Sequence, residues 1–91
     1  MASYAWSETK DLQLRAARGV GFQEILEAIA SGGLMDVLEH PNPERYGGQL
    51  VLVVRLREYV YLVPFVEKVG EIFLKTIIPS RKFTKIYGGG K

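Results

Sequence analysis

Cysteine is missing from this 91-residue chain, which excludes disulfides, thiolate metal sites and a cysteine nucleophile together. Histidine is nearly missing: His40 stands alone, so a histidine metal cluster is excluded. A Ser-His-Asp arrangement would have to use His40, and no serine lies in a nucleophile-elbow context. Long apolar runs are missing as well. Nowhere do about 18 apolar residues follow one another, and the leading MASYAWSETK has no basic stretch followed by an apolar one. Neither export nor membrane insertion is expected, and a small chain without disulfide staples suits a reducing cytoplasm. The glycine-rich stretches GVG, SGG and YGGQ lack the spacing of a phosphate loop or a dinucleotide fingerprint. No cofactor and no metal is therefore expected.

What is present is enough apolar material for one core. With 47% hydrophobic residues, residues 1–91 read as a single domain, residues 88–91 being a flexible tail. The net charge of +2 conceals a division. Residues 1–48 hold four Lys and Arg against seven Asp and Glu, net −3, and residues 49–91 hold eight against three, net +5. Such asymmetry suits a basic surface for a polyanion beside an acidic region.

Ser7 is a credible N-cap for a helix through ETKDLQLRAAR, with Glu8 and Asp11 in its first turns, Arg15 and Arg18 in its last and Gly19 to stop it. Phe22, Ile25, Leu26, Ile29 and Ala30 fall at helical spacing and predict a second helix. Its entry holds Glu24 three residues after Gly21, half of a capping box without the hydroxyl. Leu34 to Glu39 reads as a short strand, and HPNPERYGGQ as a proline- and glycine-punctuated connection. In LVLVVRLR, Leu50, Leu52, Val54 and Leu56 share one face while Val51, Val53, Arg55 and Arg57 share the other. A tight turn at Arg57 and Glu58 leads into EYVYLVPFVE, where Pro64 implies an edge or a bulge. A second turn near Gly70 leads into EIFLKTII, closed by Pro79 and Ser80, with a short helical turn over 81–87. The fold class expected is α+β, with two N-terminal helices packed on a small antiparallel sheet.

RNA cleavage by transesterification needs a base for the 2′-hydroxyl, cations for the phosphate and an acid for the leaving oxygen, and needs no metal. EHPNPERY concentrates Glu39, His40, Glu44, Arg45 and Tyr46, and SRKFTKIY concentrates Arg81, Lys82, Lys85 and Tyr87. Each has a plainer reading beside the catalytic one. His40 suits the opening of a proline-rich turn, and Glu44 with Arg45 suits a surface pair worth about 0–1 kcal/mol. Arg55 and Arg57 suit snorkelling from a half-buried strand. Tyr59, Tyr61, Phe65 and Phe73 alternate with Val and Leu as core residues do.

The order of these pieces, from the Trp6-Ser7 start through RGVGFQEI to IIPSRKFTKIY, resembles the BrnT-like toxins of type II toxin-antitoxin systems, within the RelE/ParE superfamily. The resemblance covers residues 6–87 and is most specific in GVGFQEILEAI and SRKFTKIY. The family tends to have Ser or Asp at the position of Gly21, and a small residue is commoner at that of Phe83. The resemblance implies a RelE/BrnT-like domain acting as a metal-independent endoribonuclease that arrests translation. A cognate antitoxin would neutralise it, and DNA would be met only through that antitoxin. Carried over, the catalytic candidates are Arg81, Lys82 and Tyr87, joined on local chemistry by His40 and Glu44. The RNA-binding candidates are Arg45, Arg55, Arg57 and Lys85. A non-enzymatic co-repressor subunit is the alternative. An exposed edge of the meander suits an antitoxin strand or a second copy of the chain.

Overall fold

The computed structural model describes residues 3–39 and 49–88. The chain runs as β1 (Ser3–Ala5), α1 (Glu8–Arg18), α2 (Phe22–Ala30), β2 (Leu34–Glu39), β3 (Gln49–Leu56), β4 (Tyr59–Lys68), β5 (Glu71–Leu74), β6 (Ile78–Pro79) and α3 (Arg81–Phe83), which passes into a π-type turn, Thr84–Gly88. The class is α+β. Among the described residues no helix is long and apolar enough to cross a membrane.

The first helix has the expected limits. Ser7 Oγ accepts the Lys10 N–H at 3.3 Å, and Gly19 takes the left-handed conformation (φ 74°) that a helix-ending glycine tolerates without strain. The second helix is capped in an unexpected way. Gly21 donates its own N–H to Glu24 Oε1 at 3.1 Å, and an acceptor from outside the helix, Asp11 Oδ1 of α1, takes the Phe22 N–H at 2.8 Å. Asp11 is 8% exposed, and its second oxygen holds Arg15 Nε at 3.3 Å. A side chain at Gly21 would run into Asp11 and Arg15. The start of α2 is therefore fixed by α1.

The sheet is larger than expected and mixed rather than antiparallel. Its order is β1-β5-β4-β3-β2, with β6 also on β4, and β1 runs parallel to β5. Three residues, Ser3 to Ala5, are too few to declare a strand by alternation; they extend because Ser3 and its neighbours meet the backbone of Glu71–Phe73. The apolar run EIFLKTII also divides. Glu71–Leu74 pairs with Phe65–Lys68, and Ile78–Pro79 pairs with Tyr61 and Leu62. Pro64 lies in the interval. It belongs to the central strand β4 and not to an edge, but it sits where the ladder passes from β5 to β6, so the missing N–H leaves no gap in either pairing, and its carbonyl takes the Lys75 N–H at 2.8 Å.

Pairing and burial assign the two faces. Leu52, Val54, Val63, Phe65 and Leu74 join Leu14, Val20, Phe22 and Ile25 in the core under the helices, and Trp6 stacks on Phe22 at 5.6 Å. Val51, Val53 and Val60 are equally buried but belong to the opposite, outer face, where the chain's last helical turns lie. Phe65 is a core residue as expected, whereas Tyr59, Tyr61 and Phe73 are half-buried.

Candidate functional site

The C-terminal segment crosses the outer face as a strap. It starts at β4, where Ser80 donates its N–H to the Val60 carbonyl at 3.0 Å. Thr84 binds both sides of that junction: its Oγ1 accepts the Val60 N–H at 2.9 Å and donates to the Ser80 carbonyl at 2.6 Å. Ser80 Oγ caps the short helix by accepting the Phe83 N–H at 3.1 Å. One turn later the rings of Phe83 and Tyr87 stack, 5.9 Å apart and 9° from parallel. The far end reaches β2, where the Tyr87 hydroxyl donates to Asp36 Oδ2 at 3.2 Å. The strap thus spans the sheet from β4 to β2. Arg81, Lys82 and Lys85 stand along it, all exposed.

Asp36 is the residue that sequence reasoning missed. A register shift between Leu34 and Asp36 inserts Met35 into β2 as a bulge, a device that re-aims side chains. Asp36 then pairs with Val53 and so faces outward, while Val37 pairs with Leu52 and Glu39 with Leu50 on the helix side. Its Oδ1 accepts the Val37 N–H at 2.8 Å, which leaves Oδ2 turned to Tyr87. A signal was available in LMDVLE: carboxylates at 36 and 39, three apart, cannot share one face of a regular strand.

Partial burial, the hydrogen bond to Asp36 and the charge of that carboxylate raise the Tyr87 phenol above its ordinary 10.0. The phenol stays protonated around neutrality, the state of a proton donor.

The two arginines expected to share a face part company. Arg55 pairs with Val60 and is exposed on the outer face, diagonal to Asp36 across the β2–β3 ladder. Arg57 enters the turn with φ 61°, which ends the alternation, and its Nη2 binds Glu24 Oε2 of α2 at 3.2 Å on the helix side. Glu24 therefore caps α2 with one oxygen and holds the β3–β4 turn with the other. Arg55 is exposed while Val51 and Val53 beside it are buried, so its strand is covered on the outer face rather than half-buried. A cleft of about 410 Å³ at the junction of α2 and β3 is lined by Glu24, Glu27, Ser31, Gly33, Arg55 and Arg57 among others, so Arg55 borders this cleft as well as the outer face. The pairing of Glu24 with Arg57 neutralises two of its charges. His40, Glu44, Arg45 and Tyr46, together with the tail beyond Gly88, lie outside the described residues.

The outer face thus brings together a carboxylate with a fixed oxygen (Asp36), a phenol that keeps its proton (Tyr87), a guanidinium (Arg55) and three further cations on the strap. Those are the groups that stabilise a phosphate's developing charge and move protons on either side of it. Comparison with protein-family models, with curated proteins and with solved structures finds no match to this chain.

Proposed function

We propose that this chain is the toxin component of a type II toxin-antitoxin system, with a RelE/BrnT-like domain that cleaves RNA without a metal and is held inactive by a cognate antitoxin. The observation that carries the reading is the basic strap Arg81–Tyr87 laid over the sheet face that also presents Arg55. A folded segment fixes cations in place, whereas a solvated tail would merely attract a polyanion. The α+β class is the part of the implied fold that supports the reading; the strand β1 ahead of the helices and the parallel β1–β5 pairing depart from the implied arrangement. The acidic antitoxin segment would lie on the same cations.

The test is induced expression of the chain alone in a bacterial host beside Arg81→Ala, following growth and total RNA. Growth arrest with RNA decay is expected from the wild type, and a loss of at least about tenfold from the variant, the scale of one charge-assisted contact in a transition state. Equal RNA decay by both would remove Arg81 from the site.

The second reading is a non-enzymatic co-repressor subunit that strengthens operator binding by its antitoxin. A net charge of only +2 favours it, since proteins that grip nucleic acid directly are commonly more basic. Operator binding that tightens when this chain is added, with intact RNA, is its expected result.

A further inference from the structure

We propose that Asp36 and Tyr87 are the proton-transfer pair of the outer-face site, Asp36 taking the 2′-hydroxyl proton of RNA and Tyr87 giving one to the leaving 5′ oxygen. This rests on the ribonuclease reading and adds to it a base that is not among the candidates read from the sequence. The carboxylate is placed by three independent features. The Met35 bulge turns it outward, the Val37 N–H holds Oδ1, and the Tyr87 hydroxyl meets Oδ2. The phenol is placed by two more: the stacked ring of Phe83, and a strap anchored at Val60 by Thr84 and Ser80. Bulges, π-type turns and two-sided carboxylate contacts each cost regular pairing, and here they converge on a single hydrogen bond.

The step balances. The 2′ oxygen loses its proton to Asp36 and bonds to phosphorus. The bond from phosphorus to the 5′ oxygen breaks, and that oxygen takes the phenolic proton. Asp36 then passes its proton along the existing hydrogen bond to the phenolate, which restores the pair and leaves a 2′,3′-cyclic phosphate and a 5′-hydroxyl. Charged neighbours on the same face are Arg55 of β3 and Lys85 of the strap, with Arg81 and Lys82 nearer its start; Glu39 of β2 faces the helix side. Arg55, two residues along β3 from the partner of Asp36, is the cation of that strand that would hold the phosphate.

The experiment compares purified wild type, Asp36→Asn and Tyr87→Phe on two RNA substrates, an ordinary oligonucleotide and one whose leaving 5′ oxygen is replaced by bridging sulfur. A thiolate leaves without a proton. Tyr87→Phe is expected to lose about 10²–10⁴-fold on ordinary RNA, the usual scale of general acid catalysis, and to recover most of it on the sulfur substrate. Asp36→Asn is expected to lose a similar factor on both, because a better leaving group does not replace the base. Circular dichroism and binding of a non-cleavable 2′-deoxy analogue, unchanged within about twofold (~0.4 kcal/mol), separate this from misfolding. Equal losses on both substrates for Tyr87→Phe, full activity of Asp36→Asn on either substrate, or variants that fold or bind poorly would overturn the pair while the ribonuclease reading stands. Absence of cleavage by the wild type, with or without ribosomes, would overturn both.

Discussion

The two faces of the sheet bury valines equally well, yet they are closed by different means. The helix face is sealed by apolar side chains, Phe22 and Ile25 fully buried against Val54, Val63 and Leu74. The outer face is crossed by the strap, whose described polar contacts to the sheet are few: Ser80 and Thr84 at Val60, and Tyr87 at Asp36. Ile86 on that strap is 60% exposed. One face therefore holds the fold, and the other holds a short segment in place above charged groups. Stability and the proposed chemistry would then be divided between them, as in structures whose binding elements come from the less stable end.

The largest effect should come from Phe22→Ala, which empties a fully buried site and removes the ring on which Trp6 stacks. A loss of about 3–5 kcal/mol is expected, a large share of a small domain's stability. Urea unfolding followed by the fluorescence of Trp6, the chain's one tryptophan, should show the whole transition moving. Thr84→Val tests the other face. It leaves the Val60 N–H without its acceptor, at about 1–3 kcal/mol. The loss should appear first as trypsin cleavage at Arg81, Lys82 and Lys85, at urea concentrations where Trp6 still reports a folded helix face. Simultaneous loss of both signals would erase the division between the faces.

Asp11→Ala removes the borrowed cap of α2 and the partner of Arg15, and about 1 kcal/mol, within the usual 0.5–2, is expected by the same urea method. The smallest effect concerns Tyr87. Its folded phenol holds the proton more tightly than an unfolded one, so the contribution is complete below the ordinary 10.0 and is lost as pH rises through the higher folded value. Phenolate absorbance should lose a component titrating above 10.0 in Tyr87→Phe, and Asp36→Asn should move that component down.

The helices were legible because their signals are local: a serine cap, a glycine stop and an apolar stripe, each readable within a few residues. The hairpin turns at Arg57 and Gly70 were legible for the same reason. What escaped depends on distant partners. Ser3–Ala5 is a strand only because Glu71–Phe73 lies beside it, and Pro64 occupies a central strand only because two short strands share its far side. At the site, Arg81, Lys82, Lys85 and Tyr87 could be proposed as one contiguous segment. Asp36 could not be joined to them, because 51 residues separate it from Tyr87 and a bulge sets its direction. Arg57 was misplaced by one left-handed residue that ends the alternation.

Amide chemical-shift mapping with a non-cleavable RNA analogue would decide between the faces. The outer-face account predicts that shifts gather at Asp36, Val53 to Arg55, Val60 and residues 81–87, and leave Leu14, Ile25 and the rest of α1 and α2 unmoved. Shifts confined to the helix surface, or none at concentrations where a basic site binds RNA, would contradict it.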